Sequence, residues 1–380
     1  MPQRMTIGLA QSHTLSSLSL TLSALRDTTK RAVAKGVSIL LFPEAYLGGY
    51  PRTCSFGTLV GSRSDTGRDQ FLAYAKSAVD LGDTPNGAGD AWIENKLPVD
   101  EVLGQRGDGT REYLEKVARE TGVFIITGVV EKAGGSLYCA ALYVDPERGV
   151  IGKRRKLMPT GSERLVWGQG AASTLKAVTT TINGIRVVIG CAICWENYMP
   201  LLRYSLYSQG VNLWLAPTAD PRPTWQSLMQ TIAFEGRCFV LGANQCVKKK
   251  NLPRWIAGTR PVVEDQKSRT LANGLLFDIK TEETHKTVGN DDNNIPTWRQ
   301  MDDSAGDGEQ FVSIGGSCIV NPFGETIAGP IWEREDDLLY VEVDFDDCDR
   351  GHLDFDVTGH YSRPDAFKLT VEGLDLNPLL

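Results

Sequence analysis

Three stretches carry side chains whose type and setting suit chemistry. The first is GCAICWENYMP, residues 190–200, where the apolar run GIRVVIGCAI ends in Cys194 and a helix is expected to run out of it. A thiol at the carboxyl end of a buried strand faces the crevice in which α/β proteins bind ligands. At a helix start it also feels the positive end of the macrodipole, which favours thiolate. The alternative is a core cysteine that only packs. The second stretch is LLFPE, which places Glu44 at the end of an apolar strand. A carboxylate there is costly unless it reaches a crevice or a partner. Burial raises its pKa and makes it a base suited to a thiol; the alternative is a surface carboxylate at a strand end. The third is GKRRKLMPTGSE, residues 152–163, with Lys153, Arg154, Arg155 and Lys156 in a row. Such a run is ordinarily a solvated face, but this one closes on Leu157, Met158 and Pro159, so one of the four can point inward. A lysine beside a reacting centre stabilises developing negative charge. The residue types alone do not choose among the four.

Other chemistries fit less well. The histidines are His13, His285, His352 and His360; they form no metal-like cluster, and no metal site is expected. No glycine-rich strand-to-helix loop signals phosphate or dinucleotide binding. Cys191 and Cys194 form a CxxC pair, but on a strand and without a second pair to complete a zinc site. CAICW mimics the papain-type nucleophile pattern, yet lacks its glycine and sits mid-chain. Eight cysteines spread from Cys54 to Cys348 are no disulfide framework, and several sit in apolar runs as buried thiols suited to a reducing cytoplasm. Lys and Arg number 40 against 47 Asp and Glu, a formal charge of −7. That mild acidity argues against nucleic-acid and anionic-membrane surfaces. Neither a signal peptide nor a membrane span is visible, and a cytoplasmic location is expected.

The elements that must position these groups alternate in type. Apolar runs at 5–11, 37–45, 123–131, 137–145, 184–193, 210–218 and 238–246 predict strands, and 317–329 predicts a hairpin around Asn321 to Gly324. Residues 21–36 and 110–122 predict helices, each closed by a glycine. Asn197 is expected to cap the helix after Cys194, with Pro200 in its first turn. The pattern is α/β, with hairpins that make parts of the sheets antiparallel. Residues 84–109 read as a loop insertion, and the polar 280–310 as a segment outside the compact pattern. The expected division is a domain over 1–335, with a polar insertion around 252–310, and a strand and tail over 336–380 that can pack on a partner.

Read in order, QSHTL, FPEAYLGGYPR, RRKLMPTGSERLVWGQG, CWENYMPLLRYSLYSQG, GRCFVLGANQ, GGSCIVNPFG and GHYSRPDAF resemble the nitrilase superfamily, and within it the true nitrilases. The resemblance runs over most of the chain; the 252–310 stretch is longer than is usual for that family. It implies a four-layer α-β-β-α sandwich with two facing mixed sheets. It places the family's general base on Glu44, its lysine on Lys156, its nucleophile on Cys194, and a second glutamate, which orients lysine and water, on Glu163. The implied activity is hydrolysis of an organic nitrile to acid and ammonia through a thioimidate and a thioester, with no cofactor. Cyanide hydratase and amidase are the sister activities, and a silent assembly protein the non-enzymatic alternative. Tyr50, Trp167 and Trp195 are candidates to line an aromatic substrate pocket, or to pack. A small-molecule nitrile is the expected partner, together with further copies of the chain in a homo-oligomer of dimers or a spiral.

Overall fold

The computed structural model describes residues 2–220, 222–257 and 308–376. Most of the 252–310 insertion, and His285, lie outside the described residues. Within them are two large sheets. The first runs in the order Asp337–Asp344, Arg4–Gln11, Val37–Leu41, Phe124–Ala133, Ser136–Asp145, Gly149–Arg155. The second runs Cys246–Lys248, Phe311–Val320, Phe239–Gly242, Leu213–Leu215, Ile185–Cys191, Val178–Ile182, with Thr326–Trp332 paired to Phe311–Val320.

Alternation along the strands builds the layers, because successive side chains point to opposite faces. Ile39 and Leu41 share an inner core with Ile189, Leu213 and Leu215 of the other sheet. Leu40, between them, packs with Leu25, Leu114 and Val117 of the helices Leu18–Val33 and Thr110–Thr121. In the second sheet Val188 turns the other way, onto Leu206, Met229 and Ile232 of the helices Pro200–Tyr207 and Thr224–Gly236. Two sheets therefore face each other across one core, and each carries helices on its outer face. This is the four-layer sandwich.

The element predictions hold in kind and differ at the ends. The helix predicted over 110–122 is Thr110–Thr121 with Gly122 left-handed at φ 71°. The one predicted over 21–36 spans Leu18–Val33, because Ser17 caps it by accepting from Leu20 N–H at 3.3 Å. The run 37–45 is strand only to Leu41. Its last residues, Phe42 to Ala45, peel away into the turn that carries Glu44. The loop over 84–109 holds one turn of helix, Asp90–Ile93, anchored by buried Trp92. The terminal strand Asp337–Asp344 pairs with Arg4–Gln11 and runs into a helix, Asp346–His352, that the sequence pattern did not predict.

Candidate active site

Strand direction gathers the site. Val37–Leu41 runs parallel to Phe124–Ala133, and two antiparallel steps return Gly149–Arg155 to that direction. In the second sheet Ile185–Cys191, Leu213–Leu215 and Phe239–Gly242 are parallel. Glu44, Lys156, Cys194 and Thr218 each follow the carboxyl end of one of these strands within three residues. Gly128 lets the Glu44 turn cross its neighbouring strand: a Cβ there would stand 2.3 Å from Pro43 O and 2.7 Å from Glu44 Cα.

The structure brings Glu44, Lys156 and Glu163 into direct contact. Lys156 Nζ donates to Glu44 Oε1 and to Glu163 Oε2, each at 2.7 Å. Glu163 sits on the short 3-10 turn Gly161–Leu165 and also accepts from Thr160 N–H at 2.7 Å and Tyr50 OH at 3.0 Å. Gln245 Nε2 holds the Glu44 carbonyl at 2.7 Å. Glu44 and Lys156 are fully buried, and Cys194 is 4% exposed. Thr218 Oγ1 donates to Cys194 Sγ at 3.1 Å. Glu44 Oε2 is buried with no hydrogen-bond partner among the described residues.

Two carboxylates and one ammonium leave this cluster one negative charge in excess. Burial pushes the Glu44 carboxyl up to about 6, Lys156 pulls it down and Glu163 pushes it up. Burial, then the charge of Glu44, holds the Cys194 thiol well above the ordinary range, against Lys156 and the Thr218 hydrogen bond. Burial alone would discharge Lys156, but Glu44, Cys194, Cys139 and Glu163 keep its pKa well above that of a free lysine. The resting site is therefore a neutral thiol, a base near neutrality and a fixed cation. This corrects the expectation of a thiolate favoured by a helix dipole: after Cys194 comes a five-residue 3-10 turn, Cys194–Tyr198, and the α-helix starts only at Pro200.

The four cations divide by strand alternation. Lys153 and Arg155 turn to one face, where Lys153 meets Asp83 at 2.6 Å and Arg155 meets Glu131 at 2.7 Å. Arg154 and Lys156 turn to the other, toward Glu196 and Glu44. All four are buried or nearly so, where the sequence reading turned only one inward. A solvated face was the wrong default because each side chain has its own buried carboxylate.

The turn that presents Cys194 is strained. Its φ is +54°, in the left-handed region, which costs a non-glycine residue about 1–2 kcal/mol. Asn197 holds it there. Asn197 does not cap the following helix as expected; Met199 occupies that position, without a side-chain hydrogen bond. Instead Asn197 Nδ2 reaches back to Ala192 O and Cys194 O, both at 2.7 Å, and its Oδ1 accepts from Trp214 Nε1 at 2.8 Å. The expected result for Asn197→Ala is a loss of about 3 kcal/mol or more in urea unfolding, since three buried partners lose their mate. A loss under about 0.5 kcal/mol, the usual size for a surface change, would show that the turn holds itself.

The three aromatic candidates lie at the site in different states. Tyr50 is half-buried, hydrogen-bonded to Glu163, and edge-on to Trp167 at 5.6 Å. Trp167 is 3% exposed and donates to Tyr74 OH at 2.9 Å. Trp195 is half-buried, donates to Asp220 at 2.9 Å, and lies under Arg222 at 4.1 Å. A small cavity of about 10 Å³ adjoins Tyr50, Arg52, His13 and Gln245. The larger one, about 250 Å³, lies around Asn212, Cys348 and His352, at the opposite ends of the strands. It is remote from the chemistry despite its size.

Four contributors escaped the sequence reading: Glu196, Asn197 in its actual role, Thr218 and Cys139. Cys139 Sγ donates to Glu44 Oε1 at 3.6 Å and, with its pKa pushed up by burial, stays neutral. The one available signal was the alternation Cys139, Ala141, Tyr143, which puts all three on the inner face. Thr218 and Cys139 meet the site only through long-range pairing, which local pattern does not contain. Cys191, the other half of CxxC, is a free thiol in the inner core.

Comparison with known proteins agrees with this geometry. The family model described as carbon-nitrogen hydrolase matches residues 6–352. An arylacetonitrilase of Trametes versicolor is 37% identical over 93% of this chain and 91% of its own length. An aliphatic nitrilase of Sinorhizobium fredii is 37% identical over 90% of this chain and 87% of its own. The crystal structure of Saccharomyces cerevisiae Nit3, a member of branch 10 of the nitrilase superfamily, aligns with TM-score 0.56 at 15% identity, covering 94% of this chain and 97% of that one. At that identity it speaks for the fold alone. With the family model spanning the sandwich from its first strand to its last helix, and nitrilases as full-length relatives, the chain belongs to the carbon-nitrogen hydrolase family, the nitrilase superfamily.

Proposed function

We propose that this protein hydrolyses an organic nitrile to its carboxylic acid and ammonia through a covalent intermediate on Cys194. The observation that carries the reading is a buried cluster in which Lys156 Nζ donates to Glu44 and to Glu163, each at 2.7 Å, with the buried Cys194 thiol held by Thr218 at 3.1 Å at the same strand ends. Burial pushes the Glu44 carboxyl up to about 6 and the thiol up, and, against burial, the carboxylates push the lysine up. Glu44 takes the thiol proton as Sγ attacks the nitrile carbon. Charge develops on the nitrile nitrogen, and Lys156 neutralises it and supplies the proton, which Glu44 returns to the lysine. The product of this step is a thioimidate. Water, activated by a glutamate, adds to it; ammonia leaves, giving a thioester; a second water releases the acid and restores the thiol. Glu163, with its contacts to Lys156, Thr160 and Tyr50, fixes where the ammonium points. Tyr50 and Trp195 border the substrate, and Trp167 backs Tyr50. The arylacetonitrilase and aliphatic nitrilase relatives support the nitrile class.

The reading includes a homo-oligomer working in a reducing cytoplasm. Seven buried cysteines held as thiols, from Cys139 to Cys348, support the compartment. Among the described residues no helix is long and apolar enough to cross a membrane.

The test is product analysis on phenylacetonitrile, benzonitrile, fumaronitrile, cyanide and the matching amides. Acid and ammonia from an organic nitrile are expected; formamide from cyanide, or turnover of amides alone, would move the activity to a sister reaction. The pH profile is a second expected result. Glu44 must be ionised to act, so kcat/KM falls as pH drops below about 6, and the macroscopic value belongs to the coupled cluster. The lysine stays charged at neutral pH and adds no limb there. Activity flat down to pH 4.5, the ordinary glutamate value, would exclude Glu44 as the base.

A further inference from the structure

We propose that Arg52 recognises an anionic group on the substrate, so that the nitrile this site takes carries a carboxylate. The inference rests on the nitrile reading above and deepens it. Arg52 NH2 donates to Ala219 O at 2.7 Å, and the guanidinium lies over the Tyr50 ring at 5.3 Å. Among the described residues no carboxylate forms an ion pair with it, and it has no further contact of that kind. Arg52 is half-buried, and the more deeply buried cations near the site differ from it. Lys153, Arg154, Arg155 and Lys156 each hold a carboxylate. Arg237, far from the chemistry, spends its guanidinium on the carbonyls of Phe355 and Pro322 and lies over the ring of Phe234.

The place of Arg52 matters as much as its lack of an ion-paired carboxylate among the described residues. Ala219 follows Thr218, which donates to Cys194 Sγ. Tyr50, under the guanidinium, donates to Glu163, and Gln245, on the same small cavity, holds the Glu44 carbonyl. Arg52 thus spans the rim between the nucleophile's turn and the carboxylates. Burial depresses its pKa, against Tyr50, Cys194, Glu44 and Asp220, the two carboxylates acting from beyond ion-pair distance. A guanidinium has five N–H donors in a fixed fork, and the contact to Ala219 uses one nitrogen. Its other N–H groups are not among the sealed, partnerless atoms, so they are open to an incoming acceptor. A carboxylate fits that fork bidentately. The need is electrostatic as well. The Glu44–Lys156–Glu163 cluster carries one excess negative charge and would repel an anionic substrate unless a cation beside it took the charge.

The test compares 3-cyanopropanoate with its neutral isostere 4-oxopentanenitrile, in the full-length enzyme and in Arg52→Met, with melting temperature as the folding control. The wild type is expected to prefer the carboxylate. In Arg52→Met the carboxylate-to-ketone ratio of kcat/KM should fall about 10–100-fold, the scale of a lost charge-assisted pair, mostly through KM. An unchanged ratio, or a wild type that prefers the ketone, would overturn the inference and leave Arg52 as a clamp between Tyr50 and Ala219. Failure of the nitrile reading looks different: the wild type turns over no nitrile at all. Calorimetric binding of 3-cyanopropanoate to Cys194→Ala, set against the Cys194→Ala, Arg52→Met double variant, reads recognition without chemistry. Equal affinity in the two would overturn the inference, and so would equal affinity of Cys194→Ala itself for 3-cyanopropanoate and 4-oxopentanenitrile, a comparison that holds even if Arg52→Met fails to fold.

Discussion

Cys194→Ala is expected to abolish nitrile turnover, by about 10⁴–10⁶-fold in kcat, while the protein folds as before. Both halves follow from the geometry. In the proposed mechanism the Cys194 thiol is the group that attacks, and the carboxylate and lysine beside it have no covalent role of their own. Stability should change little. Alanine keeps the Cβ and so meets the same cost at φ +54°. The lost hydrogen bond is the one from Thr218, whose hydroxyl still accepts from Asp220 N–H at 3.0 Å. That places the cost near 1 kcal/mol. Cys194→Ser should be equally inactive. A hydroxyl is far less acidic than a thiol, and a base near pKa 6 set for a thiol draws its proton far less readily. The measurement is ammonia and acid release from phenylacetonitrile, with mass spectrometry of the trapped enzyme. Full turnover by a folded Cys194→Ala protein would remove the covalent mechanism.

The residues of the site were more legible than their arrangement. Cys194 and Glu44 announced themselves because each closes an apolar strand, and strand ends are where an α/β sandwich opens. Lys156 did not: four cations in a row look alike, and strand alternation separates them only once the register of Gly149–Arg155 is known. Its selection came from resemblance, as did that of Glu163. The short-range turn after Cys194 was misread for a physical reason. Asparagine caps helices, but here it serves the residues behind it, because Trp214, on a strand paired beside Ile185–Cys191, offers a donor that a local pattern cannot show. The ends of strands were misplaced for the same kind of reason. Apolar runs such as 37–45 continue into the turn that holds Glu44, since that turn is itself buried between sheets and needs apolar neighbours as much as the strand does.

Glu196→Gln should be the most destabilising single change at this site, at about 3–5 kcal/mol, and should also lower kcat in the folded fraction by about 10²-fold. Glu196 is fully buried and joins the sheets. It accepts from Arg154 NH1 at 2.6 Å and NH2 at 2.8 Å, from Leu157 N–H at 2.6 Å, Met158 N–H at 3.1 Å and Ile193 N–H at 2.8 Å. Leu157 follows Lys156, and Ile193 precedes Cys194, so one carboxylate sets the distance between cation and nucleophile. Glutamine keeps the shape but turns two N–H donors toward an environment made of donors, and leaves Arg154 charged and unpaired. Burial would raise the Glu196 pKa; Arg154 and the backbone N–H groups lower it below the usual 4.5. A depressed pKa stabilises the fold above the unfolded value and loses that effect as pH falls through the folded one. The difference between wild type and variant should therefore be full at pH 7 and shrink below about 4.5. Arg154→Met is the control. It leaves the carboxylate with three backbone N–H donors and the nearby charge of Lys156, so it should cost less than Glu196→Gln in urea unfolding and spare more of kcat. Equal losses in the two variants would mean that the ion pair alone joins the sheets, and that the carboxylate's hold on the turns before Cys194 and after Lys156 does not set the geometry of the site.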